Sequence, residues 1–220
     1  MLGRFDTPLN SRRIFHMDTE KIFNVIFWTL FVLMFLMRFW FAFRVWRTGE
    51  RLGADRAAHK RMGFWASLTD WLFLLLLTAL VVHLWFSGGN LHRLAFRAPD
   101  WLRWAGCILG MTSLGLFAWS HAILGRFWSP HLQLRPGHQL ITGGPYSRIR
   151  HPIYSAIVGW LMSLGLVAAN WTPLVFAALA VLHFLLKIQG EEKMMLEQFG
   201  DEYQEHMKQT GRLLPVPSKV

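Results

Sequence analysis

The sequence predicts an all-α fold: a polytopic integral membrane helical bundle of about five transmembrane helices. Three observations carry that expectation. Hydrophobic residues make up 53% of the 220 positions and charged residues only 16%, where a soluble domain carries about 25% charged residues. The apolar stretches are long and follow one another with short connections, which argues for one membrane domain rather than several soluble ones. Twelve Trp and eighteen Phe give an aromatic density suited to a bilayer, where such rings anchor helix ends at the interface.

Taken in order, residues 1–21 form a polar N-terminal tail of mixed charge, expected to be mobile or to lie on the surface. The region 22–124 holds the first three spans. The first runs from about Phe23 to Phe43, with Arg38 as its one internal charge, a costly residue at that depth. A basic loop follows, with Arg44, Arg47, Arg51, Arg56, Lys60 and Arg61. The second span, about Leu68 to Phe86, is leucine-rich. The third, about Trp101 to Leu124, carries Gly106, Gly110 and Gly115. Small residues let helix backbones approach closely in lipid, so this helix is expected inside the bundle. Cys107 is the single cysteine, which excludes an intrachain disulfide and any multi-cysteine metal site.

Residues 125–220 form the remaining region. It contains a tight transmembrane hairpin, Ile153–Ala169 and Trp171–Ile188, turned at Asn170. A polar amphipathic helix from about Gln189 to Gln209 follows, its apolar side marked by Met194, Met195, Phe199, Tyr203 and Met207. The positive residues cluster in loops that should share a side, which predicts an outside N-terminus and a cytoplasmic C-terminus. The formal charge of +10 therefore points to topology and anionic headgroups rather than to nucleic acid. The short loops suggest a bacterial inner membrane.

The segment Gly137–Tyr154 stands apart. It is polar, punctuated by Gly and Pro, and set between two apolar helices. Gly and Pro impose a non-helical path, which leaves backbone polar groups in need of a partner at membrane depth. A ligand rich in donors and acceptors would supply one; a plain connecting loop is the simpler reading. The hairpin returns the chain to its starting side, so His151 and Tyr154 should meet Lys187 and Glu191. The last two are spaced i, i+4 and can pair, as a bare helix-end salt bridge would. Imidazoles, phenols, cations and carboxylates converging at a membrane surface suggest a pocket for a charged small molecule. Zinc at His138 and His151 lacks any His-Glu-x-x-His spacing, and neither a phosphate loop nor a dinucleotide fingerprint is present.

At these residues the sequence resembles the isoprenylcysteine carboxyl methyltransferase family of integral membrane enzymes. The resemblance rests on His138-x-Leu140-Ile141-Thr142-x-Gly144-Pro145-Tyr146, then Arg150-His151-Pro152-x-Tyr154. Beyond the hairpin it continues with Lys187-x-x-x-Glu191-Glu192, Phe199-Gly200-x-x-Tyr203 and Arg212-Leu213-x-Pro215. It implies S-adenosylmethionine as methyl donor, held by His138, Gln139, Leu140, Ile141, Tyr146, His151, Pro152, Ile153, Tyr154 and Glu191. It implies a lipid-soluble small molecule or lipidated substrate as acceptor, reached by a tunnel from the membrane, with Lys187 or Arg150 positioning it. The family has Arg where this chain has Lys187; Lys keeps the charge but not the two-pronged grip on a carboxylate, which leaves the acceptor open. Sterol-type NADPH reductases and phospholipid N-methyltransferases share related C-terminal patterns, and a non-enzymatic scaffold is the third reading.

Overall fold

The computed structural model describes residues 8–47, 75, 78, 94–129 and 137–216. Four helices organise them: α1 (Pro8–Trp46), α2 (Asp100–Leu124), α3 (Pro152–Ala168) and α4 (Trp171–Gln209). Thr19–Trp46, Asp100–Phe127 and Trp171–Gln209 are long and apolar enough to cross a membrane, and Pro152–Ala168 is a shorter apolar helix. The predicted second span lies outside the described residues except at positions 75 and 78, both helical.

Close backbone approach sets the packing. A Cβ on Gly106 would stand 2.7 Å from Leu166 Cβ, and one on Gly110 2.7 Å from Leu30 Cδ1 and 2.9 Å from Ser163 Oγ. These two small residues let α2 sit against both α3 and α1, as the sequence predicts. Among the described residues nothing lies within 4 Å of the Cβ position of Gly115. Gly106 meets Leu166, and Gly159 meets Ser113, so α2 and α3 are antiparallel. Leu30 meets Gly110, and Phe41 meets Phe117 with ring centroids 6.4 Å apart, so α1 runs parallel to α2. The core between them contains Phe23, Phe27, Leu30, Phe117, Leu161, Leu164 and Cys107. Trp160 crosses this core and donates its Nε1–H to the carbonyl of Leu30 at 3.0 Å.

The hairpin turns where the sequence places it. Ala169 ends α3 in the left-handed conformation (φ 48). Asn170 then caps α4, its Oδ1 accepting from Thr172 N at 2.7 Å, which satisfies one of the open donors of a helix start.

Two boundaries differ from the sequence reading. The helix of the first span begins at Pro8, upstream of Phe23, inside the stretch expected as a tail. The end of that stretch is docked: Glu20 accepts from Arg103 Nη1 at 2.5 Å and from Nη2 at 3.1 Å. The fifth span and the amphipathic helix, expected to part at about Gln189, form the single helix α4. Gln189–Glu192 contains no proline and no cap, and one helical Gly costs only ~1 kcal/mol. The break in regular helix geometry falls instead at Gly200 (φ 52, ψ −124).

Candidate active site at the open end of the hairpin

Within the motif segment lies a short 3-10 turn, Gly144–Ser147. Gly144 takes φ 60 with Ile123 and Trp119 against it; an added Cβ would lie 3.1 Å from Ile123 Cγ1 and 3.3 Å from Trp119 Nε1. Only glycine takes that backbone without strain. The turn is closed by Tyr146 N donating to Gly143 O at 3.2 Å. It seats the Tyr146 ring in the interior, 7% exposed. The Tyr146 hydroxyl is buried without a hydrogen-bond partner among the described residues. Burial, with the nearby Glu191 charge, holds its pKa well above the ordinary phenol value.

His151 caps α3, with Pro152 in its first turn, where the missing proline N–H costs nothing. Its backbone is fixed by a strap from the far side of α4. Arg150 N donates to Gly211 O at 2.8 Å, His151 N to Arg212 O at 3.0 Å, and Gly211 N to Arg148 O at 3.1 Å. Ser155 Oγ donates to Leu213 O at 2.6 Å.

One carboxylate ties this strap to the helix. Glu192, 4% exposed, accepts from Arg150 Nε at 2.8 Å on one oxygen. Its other oxygen accepts from Arg212 Nε at 3.0 Å and pairs with Arg212 Nη2 at 2.9 Å. The Arg150 guanidinium also donates to the carbonyls of Met207 and Thr210. Arg150 is thereby a clamp across the strap.

The neighbouring carboxylate faces the other way. Glu191 accepts a short hydrogen bond from Tyr154 Oη and stands 3.3 Å from His151 Nδ1. The rings of His151, Tyr154 and Phe184 form a near-parallel stack, with centroids 5.7 Å and 4.3 Å apart. Burial alone would depress the His151 pKa; the Glu191 and Glu192 carboxylates facing its two ring nitrogens, at 3.3 and 3.7 Å, outweigh that and raise it.

These groups line one cavity of about 770 Å³, within the range of small-molecule sites. Of the residues singled out from the sequence, His138, Leu140, Ile141, Tyr146, Arg150, His151, Pro152, Ile153, Tyr154, Lys187 and Glu191 all line it. Gln139 is exposed and is not among the lining residues. His138 packs between Phe127 and Phe199, at centroid distances of 5.0 and 6.1 Å. Sequence reasoning missed the central place of Glu192 and its partner Arg212. Their separation of twenty residues gives no local signal, although both stand within the quoted motifs. It also left open that Arg38 lines the same cavity.

Fold and site together define a class: a helical integral membrane protein with a largely apolar cavity, carrying a few converging polar groups, at one end of a hairpin. Within it, residues 105–197 match the model of the Isoprenylcysteine carboxyl methyltransferase (ICMT) family, in agreement with the motif resemblance. The chain is 30% identical to the methanethiol S-methyltransferase of Pseudomonas deceptionensis, over 48% of this chain and 45% of that protein. It is 29% identical to the cobalt-zinc-cadmium resistance protein CzcN of Cupriavidus metallidurans, over 51% of this chain and 54% of that protein. The chain thus spans about half the length of the curated relatives it matches. The solved structure of the eukaryotic intramembrane Ras methyltransferase ICMT shares the fold. Its TM-score is 0.50 at 23% identity, over 68% of this chain and 50% of that one.

Proposed function

We propose that this chain is an integral membrane methyltransferase that uses S-adenosylmethionine to methylate a lipophilic acceptor. The observation that carries the reading is the Glu191 carboxylate, held by Tyr154 and His151 inside a cavity that continues between apolar membrane helices. A donor with a cationic amine, an adenine face and many polar atoms fits that wall. The unpartnered buried hydroxyl of Tyr146 needs such a ligand, since buried polar atoms are almost always satisfied. Glu191 would hold the donor's ammonium. His138, Leu140, Ile141, Tyr146, His151, Pro152, Ile153 and Tyr154 would enclose the rest, with exposed Gln139 contributing through its backbone.

Bound there, S-adenosylmethionine supplies an electrophilic methyl group. The chain's own part is alignment and exclusion of water. The aromatic and aliphatic walls keep a nucleophile poorly solvated, and a nearby cation fixes its approach. Arg150 is engaged by Glu192 and two carbonyls, which favours Lys187 as the positioning cation on that side. The cytoplasmic, inner-membrane setting of the site belongs to this same proposal.

Calorimetric titration of detergent-purified protein with S-adenosylmethionine and, separately, NADPH tests the reading. The expected result is binding of the methyl donor alone, lost in Glu191→Ala and His151→Ala. Binding of NADPH alone would replace the methyltransferase with a reductase. Binding of neither to well-folded protein would leave a structural role.

A further inference from the structure

We propose that Arg38 of α1 reads an anionic head group on the acceptor, which makes α1 a specificity-determining wall of the cavity. The inference rests on the methyltransferase reading above and adds a residue outside the segment 105–197 that carries the family pattern.

Arg38 is the only ionisable residue between Lys21 and Arg44. A charge inside an apolar span is costly unless a partner or a cavity receives it. The structure supplies the cavity: Arg38 lines it together with Tyr154, Lys187 and Glu191. Among the described residues no ion pair involves Arg38. Its guanidinium carbon lies 6.0 Å from the ring centre of Trp128, a residue 7% exposed and packed on His121 with centroids 5.2 Å apart. The carboxylates nearby have other partners. Glu191 serves Tyr154 and His151, and Glu192 serves Arg150 and Arg212.

Arg38 and Tyr154 line the same cavity, and Tyr154 holds the carboxylate assigned to the donor. The cation of α1 therefore faces the same cavity as the groups assigned to the donor. Around it the wall is apolar: Met34, Phe35 and Phe39 of α1, Phe117 of α2, Ile157 and Trp160 of α3. A cation set in such a wall fits an amphiphile with one hydrocarbon tail and one anionic head. A planar guanidinium grips a carboxylate with two parallel hydrogen bonds, the property that Lys187 does not provide. A phosphate head of a membrane phospholipid shares the same anionic chemistry, and the experiment separates the two sources.

The test uses purified protein in neutral maltoside micelles, saturated with S-adenosylhomocysteine, at pH 8. Binding of dodecanoate is compared with that of its uncharged amide. The expected result is a preference for dodecanoate of about tenfold or more, the size of one charge-assisted hydrogen bond. Arg38→Gln should erase the preference and Arg38→Lys keep part of it, with S-adenosylhomocysteine affinity unchanged in both. Equal binding of acid and amide to the unaltered protein overturns the proposal, as does a preference that survives Arg38→Gln. In phosphatidylcholine nanodiscs, loss of the preference on adding phosphatidylglycerol would make Arg38 a headgroup contact and also overturn it. If S-adenosylhomocysteine fails to bind while the preference for dodecanoate persists, the donor assignment falls and the anion site stands.

Discussion

The two ends of the α3–α4 hairpin use similar residue types to opposite purposes. At the turn, no buried side-chain polar atom among the described residues lacks a hydrogen-bond partner. Asn170 N donates to Gly165 O at 2.9 Å, and Phe96 N to Ala169 O at 2.8 Å. Arg103 Nε donates to Val167 O at 2.9 Å, while its other nitrogens hold Glu20. At the motif end, clamp and strap are as densely bonded, yet the Tyr146 hydroxyl is buried with no hydrogen-bond partner among the described residues. Protein interiors rarely tolerate that. The difference separates a place built to close the chain from a place built to receive something.

Glu192 is where the motif end should lose most stability. Glu192→Ala would leave the Arg150 guanidinium, whose side chain is 8% exposed, without its buried carboxylate. The expected cost is about 3–5 kcal/mol, read as a large fall in thermal stability in detergent. A loss no larger than that of a surface substitution would mean that the strap is not held by this carboxylate.

Glu191 should behave differently. Glu191→Gln keeps the shape and some of the hydrogen bonding, so stability should change by less than ~1 kcal/mol. Donor affinity should fall by roughly ten- to a hundredfold, equivalent to about 1.5–3 kcal/mol for a hydrogen bond to a charged group. Parallel melting and calorimetric titration of the two variants would sharpen the contrast: one carboxylate for the fold, its neighbour for the ligand.

At the closed end, Asn170→Ala removes a single cap and should cost about 1 kcal/mol, with no effect on donor binding. The smallest expected effect is a pH dependence confined to the motif end. The raised His151 pKa means that the folded state holds its proton more tightly than the unfolded chain does. Its stabilisation is complete below the unfolded value of ~6.5 and is lost as pH rises through the higher folded value. Melting temperature should therefore decline across that window in the parent protein, and the decline should flatten in His151→Asn.

Much of this arrangement was legible because it is written locally. The apolar runs marked α1, α2 and the hairpin; Asn170 marked the turn; Gly144-Pro145 marked the bend that seats Tyr146. The meeting of His151 and Tyr154 with Glu191 followed from hairpin geometry alone. What stayed hidden depends on long-range choices. Nothing near Glu192 says that it would bind Arg150 and Arg212 while Glu191 turned to Tyr154. Nothing in Gln189-Gly190 says that the helix would run on and break only at Gly200. Arg38 could be noticed as costly, but whether it reached the lipid surface or the cavity was decided by the side of α1 on which α2 and α3 packed.

The strap has a kinetic consequence. Its bonds join residues about sixty positions apart, as from Arg150 to Thr210, and its formation must overcome the entropy of closing that loop. The hairpin itself needs only neighbouring helices and a two-residue turn. Contacts of low sequence separation form early and distant ones late, so the helices should be paired before the pocket has its wall. A chain halted between those two stages would look properly inserted and fully helical, and would bind nothing.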